Sequence, residues 1–211
     1  MCYTKEASIG AFVTSILSCL ALYIYGNPKY KKENLNIIIL FVFVSFMQLF
    51  DYMMYIDPNC TQGWNKLGGI LGPLFNAFQP SLLYLLLIVN KSPYVGIASL
   101  INIPYILFIL FIYSKYLSKG HLCSFQENGG LTWSWSKNGF GTLFGIIYLI
   151  VMLFNFIFYI QSPIYRWAMI IILLFYGISY LNYRYHLGRF WCFFVNTIPL
   201  FVLIVQKSLL N

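Results

Sequence analysis

The stretch Asn36–Asp57, NIIILFVFVSFMQLFDYMMYID, decides the fold. It has the length and apolarity of a helix that crosses a bilayer, for which about 20 residues suffice. Gln48 and Asp51 lie within the run, and Asp51 is the one acidic or basic residue that falls well inside a span. A carboxylate at that depth is costly, so it needs a partner, a proton or water.

Outward from this stretch, polar breaks mark further apolar runs at Ser8–Tyr25, Leu67–Val89, Tyr94–Ser114, Phe140–Ile160, Ile164–Tyr183 and Phe190–Leu210. Gly26-Asn27-Pro28 and the basic KYKKEN loop close the first, and Asp57-Pro58-Asn59 closes the run at Asn36–Ile56. Continuous runs predict helices, because lipid cannot satisfy open backbone groups. They lack the short alternation of a β-barrel. The expected fold is an all-α integral membrane protein, a bundle of seven transmembrane helices with short loops, in a single domain over residues 1–211. Composition agrees: 9% of residues are charged and 60% hydrophobic, against about 25% charged in soluble domains. The lipid bilayer is therefore the expected partner. The first three and last three runs share no motif, which argues against an inverted-repeat transporter.

The net charge of +8 is scattered over short loops, so nucleic acid is not an expected partner. Only Lys29, Lys31 and Lys32 cluster, as a topology determinant or a contact to anionic lipid. Basic residues divide almost evenly between the two faces. The cluster beside the first span then sets the N-terminus outside and the C-terminus in the cytoplasm. MCYTKEASIG does not read as a cleavable signal, so the first span is expected to act as a signal anchor. Cys60 and Cys123 share the outer face in this orientation and are candidates for a disulfide. Five cysteines leave at least one unpaired, and spacing does not fix the connectivity. Asn59-Cys60-Thr61 is a glycosylation sequon on the same face.

Polar residues within the runs recur at helical spacing. Ser45, Gln48, Asp51 or Tyr52, and Tyr55 share one face; Asn65, Gly69, Gly72, Asn76, Gln79 and Leu83 share another. Tyr148, Asn155 and Tyr159 form a third stripe, while Asn102, Asn182 and Asn196 mark three other runs. Asp51 lies roughly 8 Å below the outer end of its helix, and Asn76 and Asn196 about 14 and 9 Å below theirs. An outer-half polar site of Gln48, Asp51, Asn76, Gln79 and Asn196, capped at its rim by Arg184, His186 and Arg189, follows from these depths. The competing reading is a hydrogen-bond network that only fixes helix packing, at about 0.6 kcal/mol per bond. Gly68–Gly72 and Gly141–Gly145 are Gly-x-x-x-Gly patterns, read as packing within the chain. Pro80, Pro104 and Pro199 predict kinks that free backbone carbonyls.

Between Lys115 and Asn138, Gly129-Gly130 marks a turn, and Leu131, Trp133 and Trp135 alternate with Thr132, Ser134 and Ser136. This predicts a short extended segment or hairpin over the outer mouth. Trp133 and Trp135 belong to the outer rim, as headgroup anchors. The sharper alternative is a lid, with Glu127 and His121 near its entrance.

Familiar chemistries fail on residue count or placement. A membrane hydrolase of the ceramidase type needs about three His ligands, whereas this chain has two, His121 and His186, both in loops. No metal and no cofactor is expected, and no catalytic residues are assigned. Lys207 sits too near the end of its run for a retinal Schiff base. Asn196-x-x-Pro199 departs from the pattern of G-protein-coupled receptors, which leaves only the span count in common.

The pattern FVSFMQLFDYMMYID with Cys60, LGPLFNAFQPSLL, the Cys123 loop with WSW, and GRFWCFF resembles an uncharacterised family of small multi-pass membrane proteins of large DNA viruses and protists. The likeness covers roughly half the chain, and the place of Asp51 is more often Glu in that family. The resemblance implies a membrane protein and no activity. The expectation is non-enzymatic: binding or transport of a small polar or ionic species around Asp51, or a structural, interaction or receptor-like protein in which Asp51 serves packing. Oligomeric state is left open.

Overall fold

The computed structural model of the chain describes residues 4–127, 130–135, 142–159, 162–182 and 196–209. Helix α1 spans Lys5–Tyr25, started by Thr4, whose hydroxyl accepts from the Ala7 N–H at 3.1 Å. The basic stretch that follows is not a loop. Asn27 caps the Lys29 N–H at 3.0 Å, Pro28 opens a 3₁₀ turn over Pro28–Tyr30, and α2 runs from there over Lys31–Ile56. Proline suits a first helical position because its missing N–H would be unpaired there anyway.

Helix α3 is Trp64–Val89 and α4 is Val95–Ser118. A two-stranded antiparallel hairpin follows, β1 Phe125–Glu127 and β2 Gly130–Thr132, with Phe125 opposite Thr132. Then come α5 Thr142–Ile157, α6 Pro163–Asn182 and α7 Ile198–Leu209. Among the described residues, four helices are long and apolar enough to cross a membrane: α1, α2 with its leading turn, α3 and α4. The apolar parts of α5, α6 and α7 are shorter. The chain is thus mainly helical with membrane-length helices, as the apolar runs require.

Helix α2 packs against α1, α3 and α7, while α3 also meets α4 and α5. One side of α4 exposes Leu100, Ile103, Leu107 and Leu110, whereas Ala98, Asn102, Tyr105 and Ile109 are buried. In lipid such apolar exposure carries no penalty, so close packing and internal hydrogen bonds must hold the helices together. Gly68 and Gly72 supply close packing. A Cβ at Gly68 would come within 2.8 Å of the Met54 side chain, and one at Gly72 within 2.6 Å of Trp135. That pattern serves contacts within the chain. Gly145 faces open space and brings no helix close, and Gly141 lies outside the described residues.

Hydrogen bonds do the rest. Helix α3 contains Pro73 as well as Pro80. Pro73 has no N–H for the Gly69 carbonyl, and Tyr116 on α4 donates to that oxygen at 2.9 Å. Tyr113 donates to the Ile70 carbonyl at 3.0 Å and Tyr105 to the Ala77 carbonyl at 2.7 Å, each three residues before a proline. Tyrosines of α4 therefore serve backbone carbonyls ahead of both prolines. At mid-depth Asn102 and Asn155 exchange reciprocal amide bonds at 2.7 and 2.9 Å, and Asn155 also donates to the Pro80 carbonyl at 2.9 Å. This joins α3, α4 and α5 through two fully buried side chains.

Removing one partner of such a pair strands the other. Asn155→Leu should cost about 1–3 kcal/mol in thermal unfolding in detergent. Adding Asn102→Leu should recover part of that loss rather than double it.

Candidate functional site

The hairpin end of the bundle is assembled around Asp57, which caps the turn into α3. Its Oδ1 accepts from the Thr61 and Gln62 N–H groups at 2.8 and 3.1 Å, and its Oδ2 from the Asn65 N–H at 3.2 Å. Gly63 adopts φ +85°, a conformation open to glycine at little cost, and lets the chain turn into the helix. Burial pushes the Asp57 carboxyl up. The backbone donors of Gln62, Asn65, Thr61 and Gly63 together outweigh it and hold the group below the usual range.

Asn65 then reads the hairpin segment as a strand would. Its Nδ2 donates to the Ser124 carbonyl at 2.8 Å and its Oδ1 accepts from the Ser124 N–H at 2.8 Å. Cys60 and Cys123 are joined by a disulfide beside this contact. It closes a separation of 63 residues, for which the chain-entropy picture gives stabilisation of about 4 kcal/mol. Ser134 ties the far side: its N–H donates to Ser124 Oγ at 3.1 Å, and its Oγ lies 2.7 Å from Tyr116 Oη. Tyr55 on α2 accepts from the Leu131 N–H at 3.1 Å.

These ties seat Trp133 and Trp135 inside the bundle. Trp133 Nε1 donates to Asp51 Oδ1 at 2.7 Å, and the carboxylate is 0% exposed. The two indoles stack with centroids 4.3 Å apart, and Trp135 lies over Gly72. Trp133 is 9% and Trp135 2% exposed, so neither is a headgroup anchor at a rim. The alternation also ends at Thr132. Trp133, Ser134 and Trp135 are all buried, because the chain leaves the strand and enters a helical turn at Ser134.

Of the other expected site residues, Gln48 is buried one turn before Asp51, on the same face of α2. Gln79 accepts from Tyr148 Oη at 2.6 Å, and Asn76 is half-buried on α3. Asn196 is buried in the turn that opens α7. Arg184, His186 and Arg189 lie outside the described residues. Trp133, from 82 positions away, is brought onto Asp51. Asp57 figured in the sequence only as the end of a run and Asn65 only as part of a polar stripe, and the tyrosines of α4 were not singled out. The spacing of Tyr105, Tyr113 and Tyr116 on one helical face was a usable signal for the last.

Chemically the site offers a carboxylate beneath stacked aromatic rings. Among the described residues no three His, Cys, Asp or Glu side chains gather as a metal-binding group. No family model, curated protein or solved structure matches the chain.

Asp57 makes the docking pH-dependent. Its folded pKa is depressed, so its stabilisation is complete above the ordinary value of about 3.9 and is lost as pH falls through the folded value. The melting-temperature gap between the wild type and Asp57→Asn should be widest near neutrality. It should shrink between about pH 5 and about pH 2.

Proposed function

We propose that the chain is a seven-span membrane protein, N-terminus outside and C-terminus in the cytoplasm, that binds or carries a small cation or proton at Asp51 beneath the hairpin. The 2.7 Å bond from Trp133 to Asp51 carries the reading. A carboxylate kept inside an apolar bundle is a functional candidate by default, and here its cover belongs to the segment that follows the hairpin rather than to a membrane-length helix. The indole N–H takes a place at the carboxylate that a cation would take, so binding and hairpin docking compete. Gln48, one turn away, is buried on the same face of α2 as the carboxylate.

Support for the orientation comes from the Cys60–Cys123 disulfide at the hairpin end, which suits an oxidising compartment. The Lys29–Lys32 cluster at the opposite end suits the cytoplasmic side. Support for seven spans comes from the later helices: α5 ends, α6 begins and α7 ends beside the start of α2 and the end of α3, through Tyr159 on Leu83, Tyr165 on Asn36 and Gln206 on Asn34. We also infer kinship with the small membrane proteins of large DNA viruses and protists from the motifs around Asp51, Cys60 and Cys123. That kinship brings no activity with it.

A second reading is structural: Asp51 exists to anchor the hairpin. Its complete burial and the seating of Trp135 on Gly72 favour this. Asp51→Asn separates the two, because an amide oxygen still accepts from the indole while the charge is gone. In liposomes carrying a pH-sensitive dye, under imposed proton, sodium and potassium gradients, the wild type should show a flux that Asp51→Asn abolishes without unfolding. If the wild type shows no flux and Asp51→Leu melts lower, Asp51 is a packing residue.

A further inference from the structure

At the end of the bundle opposite the hairpin, an open cleft of about 290 Å³ separates the start of α2, the α3–α4 turn and the α5–α6 junction. It lies roughly 22 Å along α2 from Asp51, counted from Asn36. Lys32 and Lys91 stand on its walls, with Asn36, Asn90 and Ser92 between them. Leu87, Pro93 and Phe158 make its apolar side.

The hydrogen-bond order inside the cleft leaves a donor unspent. Asn90 Nδ2 donates to Asn36 Oδ1 at 3.2 Å, which turns the Asn36 amide nitrogen towards Tyr165 Oη, at 2.8 Å. The Tyr165 hydroxyl thus accepts, and among the described residues its own hydrogen meets no acceptor. Tyr165 is 5% exposed and lines the cleft, so that hydrogen awaits an oxygen from a bound group. Lys91 is held at φ 51°, a left-handed conformation that glycine usually supplies at a helix end. Lys91 lines the cleft from this turn. Among the described residues, Lys32 Nζ reaches only the Asn90 carbonyl, at 3.5 Å.

We propose that this cleft binds the phosphate of an anionic lipid headgroup. Lys32 and Lys91 balance its charge, the Tyr165 hydroxyl donates to one oxygen, and Leu87, Pro93 and Phe158 meet the glycerol and first methylenes. Glu33, also on the cleft wall, opposes a second negative charge and so favours a singly charged phosphodiester. The volume falls just under the range of about 300–1,000 Å³ typical of whole-ligand pockets, which suits a headgroup whose acyl chains remain in the bilayer. Lys31, Arg166 and Lys207 stand at the same end of the helices and would draw anionic lipid towards it.

The full-length protein in detergent, titrated with short-chain phosphatidylglycerol, short-chain phosphatidylcholine and inorganic phosphate, tests this. Phosphatidylglycerol should bind tightest. Lys32→Gln and Lys91→Gln should each weaken it about fivefold, and Tyr165→Phe about threefold. Lys29→Gln removes the same charge from outside the cleft, where Lys29 lies against the Tyr30 ring, and should change little. Inorganic phosphate binding as tightly as the lipid would overturn the lipid source and assign the cleft to a free phosphate. Equal losses from Lys29→Gln and Lys32→Gln, or equal binding of phosphatidylcholine, would overturn the site itself.

Discussion

The hydrogen bond from Trp133 to Asp51 is the constraint on which the hairpin end depends. A carboxylate in the interior of an apolar bundle requires donors. For at least one of its oxygens the donor comes from outside the helices. The segment after α4 must therefore be guided back over the bundle. The disulfide, the strand-like pairing of Asn65 with Ser124 and the capped turn at Asp57 do the guiding. Gly72 leaves the room for Trp135. If the carboxylate were apolar, these parts would hold a loop with little reason to enter the bundle.

A second constraint acts on backbone oxygens. Two prolines in α3 disturb its ladder, and α4 answers with hydroxyls on one face. Tyr116 links the two constraints, because its oxygen meets both the Gly69 carbonyl and Ser134 next to Trp133. The packing of α3 on α4 and the seating of the hairpin are thus one arrangement.

The helical architecture was legible because hydropathy over twenty residues reports directly on a spanning helix, and the ends at Tyr25, Ile56 and Val89 fell where polar breaks put them. The burial of Ser45, Gln48 and Asp51 on one face of α2 was legible for the same reason: helical period needs no tertiary knowledge. Asp51's partner was not. A contact across 82 residues leaves no local trace, and a Trp next to serines reads equally well as an interfacial anchor. One physical rule pointed the right way: a buried indole N–H seeks an acceptor. Pro73 was not counted among the kinking prolines, although it lies inside the Leu67–Val89 run. The basic segment at Lys29–Lys32 read as a loop because its charges masked a cap, a proline and a helix beginning.

The two ends of α2 divide the labour: one holds a covered acid, the other an open basic cleft. The central claim concerns the covered acid. Its most direct test is deuterium exchange at the Trp133 indole N–H, followed by NMR in detergent and assigned through the signal lost in Trp133→Phe. The account predicts slow exchange in the oxidised protein, far slower than at Trp64, which is 47% exposed, and faster exchange once the disulfide is reduced. Exchange at Trp133 as fast as at Trp64 in the oxidised protein would contradict it.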